Sequence, residues 1–330
     1  MRVGVAIEET WSFFHEIYAE LAQNHTVSQF KRRSVHPPFF RERINRYLFR
    51  RDLSSLLRNN EVVFFEWASE LLIAASQLEK TCGIVTRLHR YEMYQWVDQI
   101  NWQVVDKVIL VSQAKRQEFI ARFPQFSSKA VVIPEATSVE KFQFHSKPFS
   151  GDIGILCHLT PRKRVYESIL DFYELVSQGG DFQLHIGGGR HVLHGDYYEA
   201  MRTLVKRLGL ESKVTFYGNV PNPQEWYHQI DIFLSNSYSE GLQLAPMEAM
   251  ASGCYTLSHR WEGADELLPE ENLFYTGTQL RQKILEYTDM PEVEKLRKRQ
   301  ALRAIVCEKY DINQIKVQIR RLVEEAGRPR

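Results

Sequence analysis

Residues 230–257 read IDIFLSNSYSEGLQLAPMEAMASGCYTL, and their pattern sets the architecture. The apolar run Ile230–Ser235 is short enough for a buried strand. A polar loop follows, then a stretch with helix punctuation, since Pro246 suits a first turn and Gly253 suits a helix end. A second apolar run, Cys254–Leu257, comes directly after it. Strand, loop, helix and strand in so short a span make a βαβ unit of a parallel sheet.

The alternation extends upstream. Strands are predicted at Ile153–Cys157, Phe182–Ile186 and Val214–Tyr217, with helices over 163–177, 197–208, 223–229 and 246–252. Nearer the N-terminus the short apolar runs Val3–Ile7, Glu61–Phe65, Gly83–Thr86, Lys107–Val111 and Val131–Pro134 alternate with helix-like stretches. Residues 141–151 break the pattern and read as a linker. The expected fold is therefore α/β, with two doubly wound units over 1–148 and 149–310. In such folds ligands sit beyond the carboxyl ends of the strands, so a cleft between the units is the expected site.

Composition narrows the function. The chain has 330 residues, 42 Lys and Arg against 41 Asp and Glu, and a net charge of +1. That balance excludes a wholly basic nucleic-acid binder and an acidic tail protein. No apolar run is long enough to span a bilayer, and no signal-peptide pattern opens the chain, so a cytoplasmic protein is expected. Cys82, Cys157, Cys254 and Cys307 are too scattered for a metal or disulfide framework. Of 17 glycines only Gly4 and Gly83 precede residue 149. Glycine lets a backbone approach a phosphate, so phosphate binding is expected in the second half.

Within 230–257 the helix start and the amides of Gly241, Leu242, Gln243 and Leu244 form an anion site suited to a diphosphate. Glu248 is placed to accept hydrogen bonds from ribose hydroxyls, and Glu240 lies nearer a reacting group. The segment resembles the retaining GT-B glycosyltransferases of family 4, the glycosyl transferases group 1 type. Glu240, Gly241, Leu242, Leu244 and the run Glu248–Ala251 match that family's motif.

The resemblance implies a fold of two Rossmann-like domains and a nucleotide-diphosphate sugar, UDP- or GDP-linked, as co-substrate. It implies Glu240 at the donor sugar, Glu248 on the ribose and Lys163, in LTPRKR (159–164), at the diphosphate. Val220, ending VTFYGNV (214–220), then lies beside the base, and the segment 261–266 resembles an acidic turn after the next strand. His89 occupies the place of a strand-end histidine that orients the donor sugar, and a helix over about 311–330 is expected to return to the first domain.

Three departures stand out. The family's Gly-Gly first loop is replaced by the bulky, acidic Glu8–Phe14. His158 stands where an arginine precedes the lysine by five residues, so Arg162 or Arg164 is the expected substitute. Ile133-Pro-Glu-Ala136 replaces an Ile-Pro-Asn-Gly turn. Lys163, its arginine neighbours and the 241–244 amides can stabilise a leaving diphosphate without metal, and no Asp-x-Asp motif is present to hold one. The expected activity is retaining, metal-independent glycosyl transfer to a saccharide or lipid-linked acceptor. The competing class is an inactive GT-B binding subunit of a glycosyltransferase complex, favoured by the altered first loop and His158.

Residues 31–58 hold nine basic and two acidic residues, with Phe39, Phe40, Tyr47, Leu48 and Phe49 interleaved. An anionic membrane surface, placing the protein peripherally on the inner face of the membrane, is one reading. A platform for an anionic saccharide and a plain solvated helix face are the others. Nucleic acid is not expected, since no recognised binding motif accompanies the charge.

Overall fold

The computed structural model describes residues 1–12, 14–36 and 38–328. The chain divides into two compact units, Met1–Glu135 with Asn313–Arg330, and Ala136–Ile312.

Unit 1 is built on strands β1 (Arg2–Ala6), β2 (Thr26–Gln29), β3 (Val62–Phe65), β4 (Gly83–Leu88), β5 (Lys107–Leu110) and β6 (Ala130–Val132). They form a parallel sheet in the order β2-β1-β3-β4-β5-β6. Helices α1 (His15–Asn24), α2 (Arg41–Asn59), α3 (Glu70–Ser76), α4 (Arg90–Gln95) and α5 (Gln113–Arg122) connect them. Every residue of β3 is buried, as expected of a central strand covered on both faces.

Unit 2 carries β7 (Asp152–Leu156), β8 (Gln183–Gly187), β9 (Val214–Gly218), β10 (Ile232–Ser235), β11 (Tyr255–His259) and β12 (Leu273–Phe274). Their order, β12-β11-β10-β7-β8-β9, is that of the dinucleotide-binding fold, with its reversal between β7 and β10. The crossover helices are α6 (Val165–Ser177), α7 (Gly195–Arg207), α8 (Pro223–Tyr227), α9 (Leu244–Ser252) and α10 (Ala264–Leu267). Then α11 (Gly277–Asp289), α12 (Glu292–Lys309) and α13 (Ile312–Ala326) follow.

Helix α9 begins two residues before the predicted start, which puts Pro246 at its third position, where an N–H has no intrahelical partner anyway. Its end is as predicted: Gly253 takes the left-handed conformation with φ 94°. A different break was hidden by residue type. The pattern predicts helix from 163, but Pro161–Lys163 form a 3-10 turn and Arg164 is left-handed (φ 52°) before α6 starts. Left-handed backbone costs an L-residue about 1–2 kcal/mol, so an arginine does not announce it.

The unit boundary also differs from the predicted 148/149. Residues 136–148 pack with unit 2: Phe142 joins its hydrophobic core, the His145 amide donates to the Ser252 carbonyl at 2.9 Å, and Thr137 pairs with Asp311. The linker-like composition of 141–151 reflects extended chain laid along that core. Helix α13 belongs to unit 1 from Asn313 onward. Its Ile315, Ile319, Leu322 and Val323 are buried, and Arg320 pairs with Glu20 of α1 at 2.9 Å. Gly83 is needed for this docking, since a Cβ there would lie 2.2 Å from the Ala326 carbonyl oxygen. Among the described residues no helix is long and apolar enough to cross a membrane.

Candidate active site

The crevice of a doubly wound sheet opens where the strand order reverses, because the loops leaving the two central strands turn away from each other. In unit 2 these loops are 157–164 after β7 and 236–243 after β10. They are bolted together. The Arg162 guanidinium donates to the Ser239 carbonyl at 2.7 Å, and the Tyr238 amide donates to the Arg162 carbonyl at 3.3 Å. Asn236 reaches the Arg164 carbonyl at 3.4 Å and Ser168 Oγ at 3.1 Å. The left-handed turn at Arg164 thus presents a carbonyl to the opposite loop.

Across this junction Lys163 Nζ donates to Glu240 Oε1 at 2.7 Å, and Arg162 pairs with the same oxygen. Glu240 is 7% exposed. Burial alone would raise its carboxyl, but Lys163 and Arg162 outweigh it and hold the group down at about 2. Gln243, the residue before α9, spends its side chain on the loop, accepting from Ser235 Oγ at 2.7 Å and donating to Ser237 Oγ at 3.1 Å. It makes no capping bond, so the first amides of α9 have no side-chain acceptor from it.

His158, on the same β7 loop, is exposed. Partial burial, then the charges of Lys163, His191 and Arg162, hold its imidazole below the ordinary range. At neutral pH it is no substitute for a guanidinium, and Arg162 is the arginine beside Lys163. Glu248, half-buried on α9, accepts from Tyr227 Oη of α8 at 3.0 Å, and burial raises its carboxyl. Val220, just past β9, packs against Gly187 at the end of β8, two strands from Lys163.

The sequence therefore names residues that unit 2 gathers at one strand-end crevice: Lys163, Arg162, Glu240, Gly241–Leu244 and His158. Val220 is set apart toward the β8–β9 edge. The supports Ser235, Asn236 and Ser237 carry no sequence signal beyond being polar at a strand end, and Tyr227 of α8 carries none.

In unit 1, His89 follows β4 and is 9% exposed, with its ring 4.2 Å from that of Trp67. Its Nδ1 lies 2.9 Å from Glu135 Oε1 and its Nε2 3.3 Å from Glu66 Oε1. Arg87, 1% exposed, bonds Glu66 through Nε at 3.0 Å and approaches Glu135 at 3.5 Å. Burial opposes charge on His89, but Glu135 and Glu66 outweigh it and lift the imidazole to about 10. Two departures from the family pattern find their reason here. Glu135, in place of the usual Asn, is the partner of His89 and Arg87, while Glu8 of the first loop holds Arg32 through two bonds of 2.7 Å.

Arg32 also meets Glu70 at 2.8 Å and lies over the Phe49 ring, and Arg33 pairs with Asp52. Among the described residues Arg43, Arg46 and Arg50 form no ion pair, and they share an exposed side of α2 near Tyr47, with Phe39 and Phe40 about three-quarters exposed. Among the described residues no cluster of three or more His, Cys, Asp or Glu could hold a metal ion.

Two Rossmann-like sheets, each with its own strand-end cluster, define the chain as a GT-B-type α/β protein. Residues 140–305 match the family model of the glycosyl transferases group 1, and the chain belongs to that family. It is 30% identical over 79 residues to the lipopolysaccharide core biosynthesis mannosyltransferase LpcC of Rhizobium leguminosarum bv. viciae, covering 24% of this chain and 22% of that one. It is 33% identical over 108 residues to the mannosyltransferase LpsB of Rhizobium meliloti strain 1021, covering 33% and 30%. The matched stretches thus span less than a third of these relatives. Anabaena Alr3699/HepE, solved with UDP and glucose, superposes with a TM-score of 0.78 at 17% identity over 98% of this chain and 99% of that one.

Proposed function

We propose that the protein is a glycosyltransferase that moves a sugar from a UDP- or GDP-linked donor to a saccharide or lipid-linked acceptor, with retention and without a metal. The observation that carries this reading is the convergence of Lys163 and Arg162 on Glu240 beside the start of α9. In glycosyl transfer the sugar becomes oxocarbenium-like while negative charge grows on the leaving diphosphate. Fixed cations and amides aimed at that charge lower the barrier. Lys163, Arg162 and the amides of 241–244 are of that kind. Before the donor binds, the two cations rest on Glu240; the diphosphate then competes for them. Glu240, ionised at any physiological pH, positions the sugar and stabilises positive charge on it, and the acceptor attacks from the face the diphosphate leaves.

Glu248, oriented by Tyr227, takes the ribose hydroxyls, and the chain around Val220 lines the base. In unit 1, His89 is assigned to sugar recognition as an orienting group and not as a base. The names of LpcC and LpsB, and the UDP and glucose held by HepE, support the donor and acceptor classes. The exposed side of α2 is the proposed contact with an anionic membrane surface, which makes the protein peripheral on the cytoplasmic face.

Thermal unfolding with UDP, GDP and ADP tests the donor site. A nucleotide at a hundred times its Kd adds about 2.7 kcal/mol of stability. Lys163→Ala is expected to remove that gain and to cut transfer by roughly 10²-fold or more while leaving the fold intact. No stabilisation by any of the three overturns the reading.

A further inference from the structure

We propose that Glu135, together with Glu66, is a positioning pair that holds the His89 ring as a doubly donating imidazolium, a charge balanced within unit 1 that leaves the ring neither a basic nitrogen nor a free N–H. The geometry is that of a buried charge balance. Glu66, Arg87 and Glu135 are each at most 5% exposed, and they arrive from the ends of β3, β4 and β6. Two carboxylates face one guanidinium, and the remaining negative charge has no solvent to compensate it. The other acid packed here, Glu92 of α4, is fully buried and accepts from the Ala68 amide at 3.1 Å. Burial pushes its carboxyl above the ordinary range and the charge of His89 opposes this; any charge it carries adds to the pull that keeps the ring protonated.

Protonated His89 closes the balance. Each ring nitrogen faces a carboxylate oxygen, Nδ1 to Glu135 and Nε2 to Glu66, so both must carry hydrogen for the contacts to be attractive. Glu66 depends on this arrangement, since its Oε2 has no hydrogen-bond donor and its compensation runs through Oε1, to Arg87 and His89. The Trp67 ring covers one face of the imidazole and limits its rotation. An asparagine at 135 would supply the contact without the charge, leaving Arg87 to neutralise Glu66 and the histidine free to titrate. Glu135 therefore changes the chemical nature of His89, not its place.

The charge state is read directly from the ring nitrogens of His89 by NMR of histidine-labelled protein, with its signals assigned by their loss in His89→Gln. Both nitrogens are expected to stay protonated through the range, around pH ~6.5, where a free imidazole titrates. Glu135→Gln is expected to lower the midpoint by about one to three units. A wild-type ring that deprotonates near the ordinary value overturns the proposal, and so does an unchanged midpoint in a folded Glu135→Gln. If that variant does not fold, the wild-type titration decides alone.

The kinetic consequence rests on the role proposed for His89 in sugar recognition. Transfer by Glu135→Gln should match wild type below the new midpoint and fall above it, mainly in kcat. A ring that titrates as expected in a variant whose transfer keeps the wild-type pH profile supports the charge assignment and overturns that role.

Discussion

Glu240 is a carboxylate that two cations keep ionised in a buried place, and its stability contribution has a definite sign with pH. Its folded-state value near 2 lies below the ordinary 4.5, so its contribution is fully present above 4.5 and is lost as pH falls toward 2. The gap corresponds to at most about 3 kcal/mol. Urea unfolding measured between these limits should show a steeper acid loss in wild type than in Glu240→Gln. The variant should also be less stable at neutral pH, because Lys163 and Arg162 lose their counter-charge. Equal slopes would mean that the ion pairs do not form in solution. Glu240 was legible in the sequence because its neighbours Gly241 and Pro246 sit in the same short segment. Its partner Lys163, 77 residues away, was legible only through family resemblance. The contacts of His89 with Glu66 and Glu135 were not legible at all, because only the strand order brings those three strand ends together.

Elements were read most securely where punctuation and periodicity agree, as at α9 with Gly253 behind it. They were misread where the backbone does something its residue does not advertise, as at Arg164. Helix α2 shows a third case, in which composition was plain but partition was not. Nine basic residues looked like one patch, yet Arg32 and Arg33 are committed to Glu8, Glu70 and Asp52. Arg51 lies 3.8 Å from Asp52, while Lys31, Arg41, Arg43, Arg46, Arg50 and Arg58 form no ion pair among the described residues; of these, Arg43, Arg46 and Arg50 share the exposed side of α2 with Tyr47, near Phe39 and Phe40. Each basic side chain near an anionic bilayer contributes about 1 kcal/mol. Replacing Arg43, Arg46 and Arg50 together by Gln should therefore abolish flotation with vesicles rich in anionic lipid, while Arg33→Gln changes it little. Flotation that survives the triple replacement, or that never occurs at low salt, rejects the membrane contact.

At the scale of the whole chain, unit 1 is discontinuous in sequence and unit 2 is continuous. Deleting 313–330 should remove the unfolding transition of unit 1, because the buried face of α13 and its Glu20 ion pair are lost, and leave unit 2 folded and nucleotide-stabilised. A truncated protein that keeps both transitions would show that α13 is dispensable. The lopsided glycine count also resolves here. Gly83, one of the two early glycines, serves the closing of unit 1 by α13. The arrangement has a consequence for biosynthesis. As the chain leaves the ribosome, the part made first lacks its closing helix until all of Ala136–Ile312 has emerged. The half synthesised second is thus the first able to complete its fold, and the newborn N-terminal half waits with an apolar surface uncovered, open to a chaperone throughout that interval.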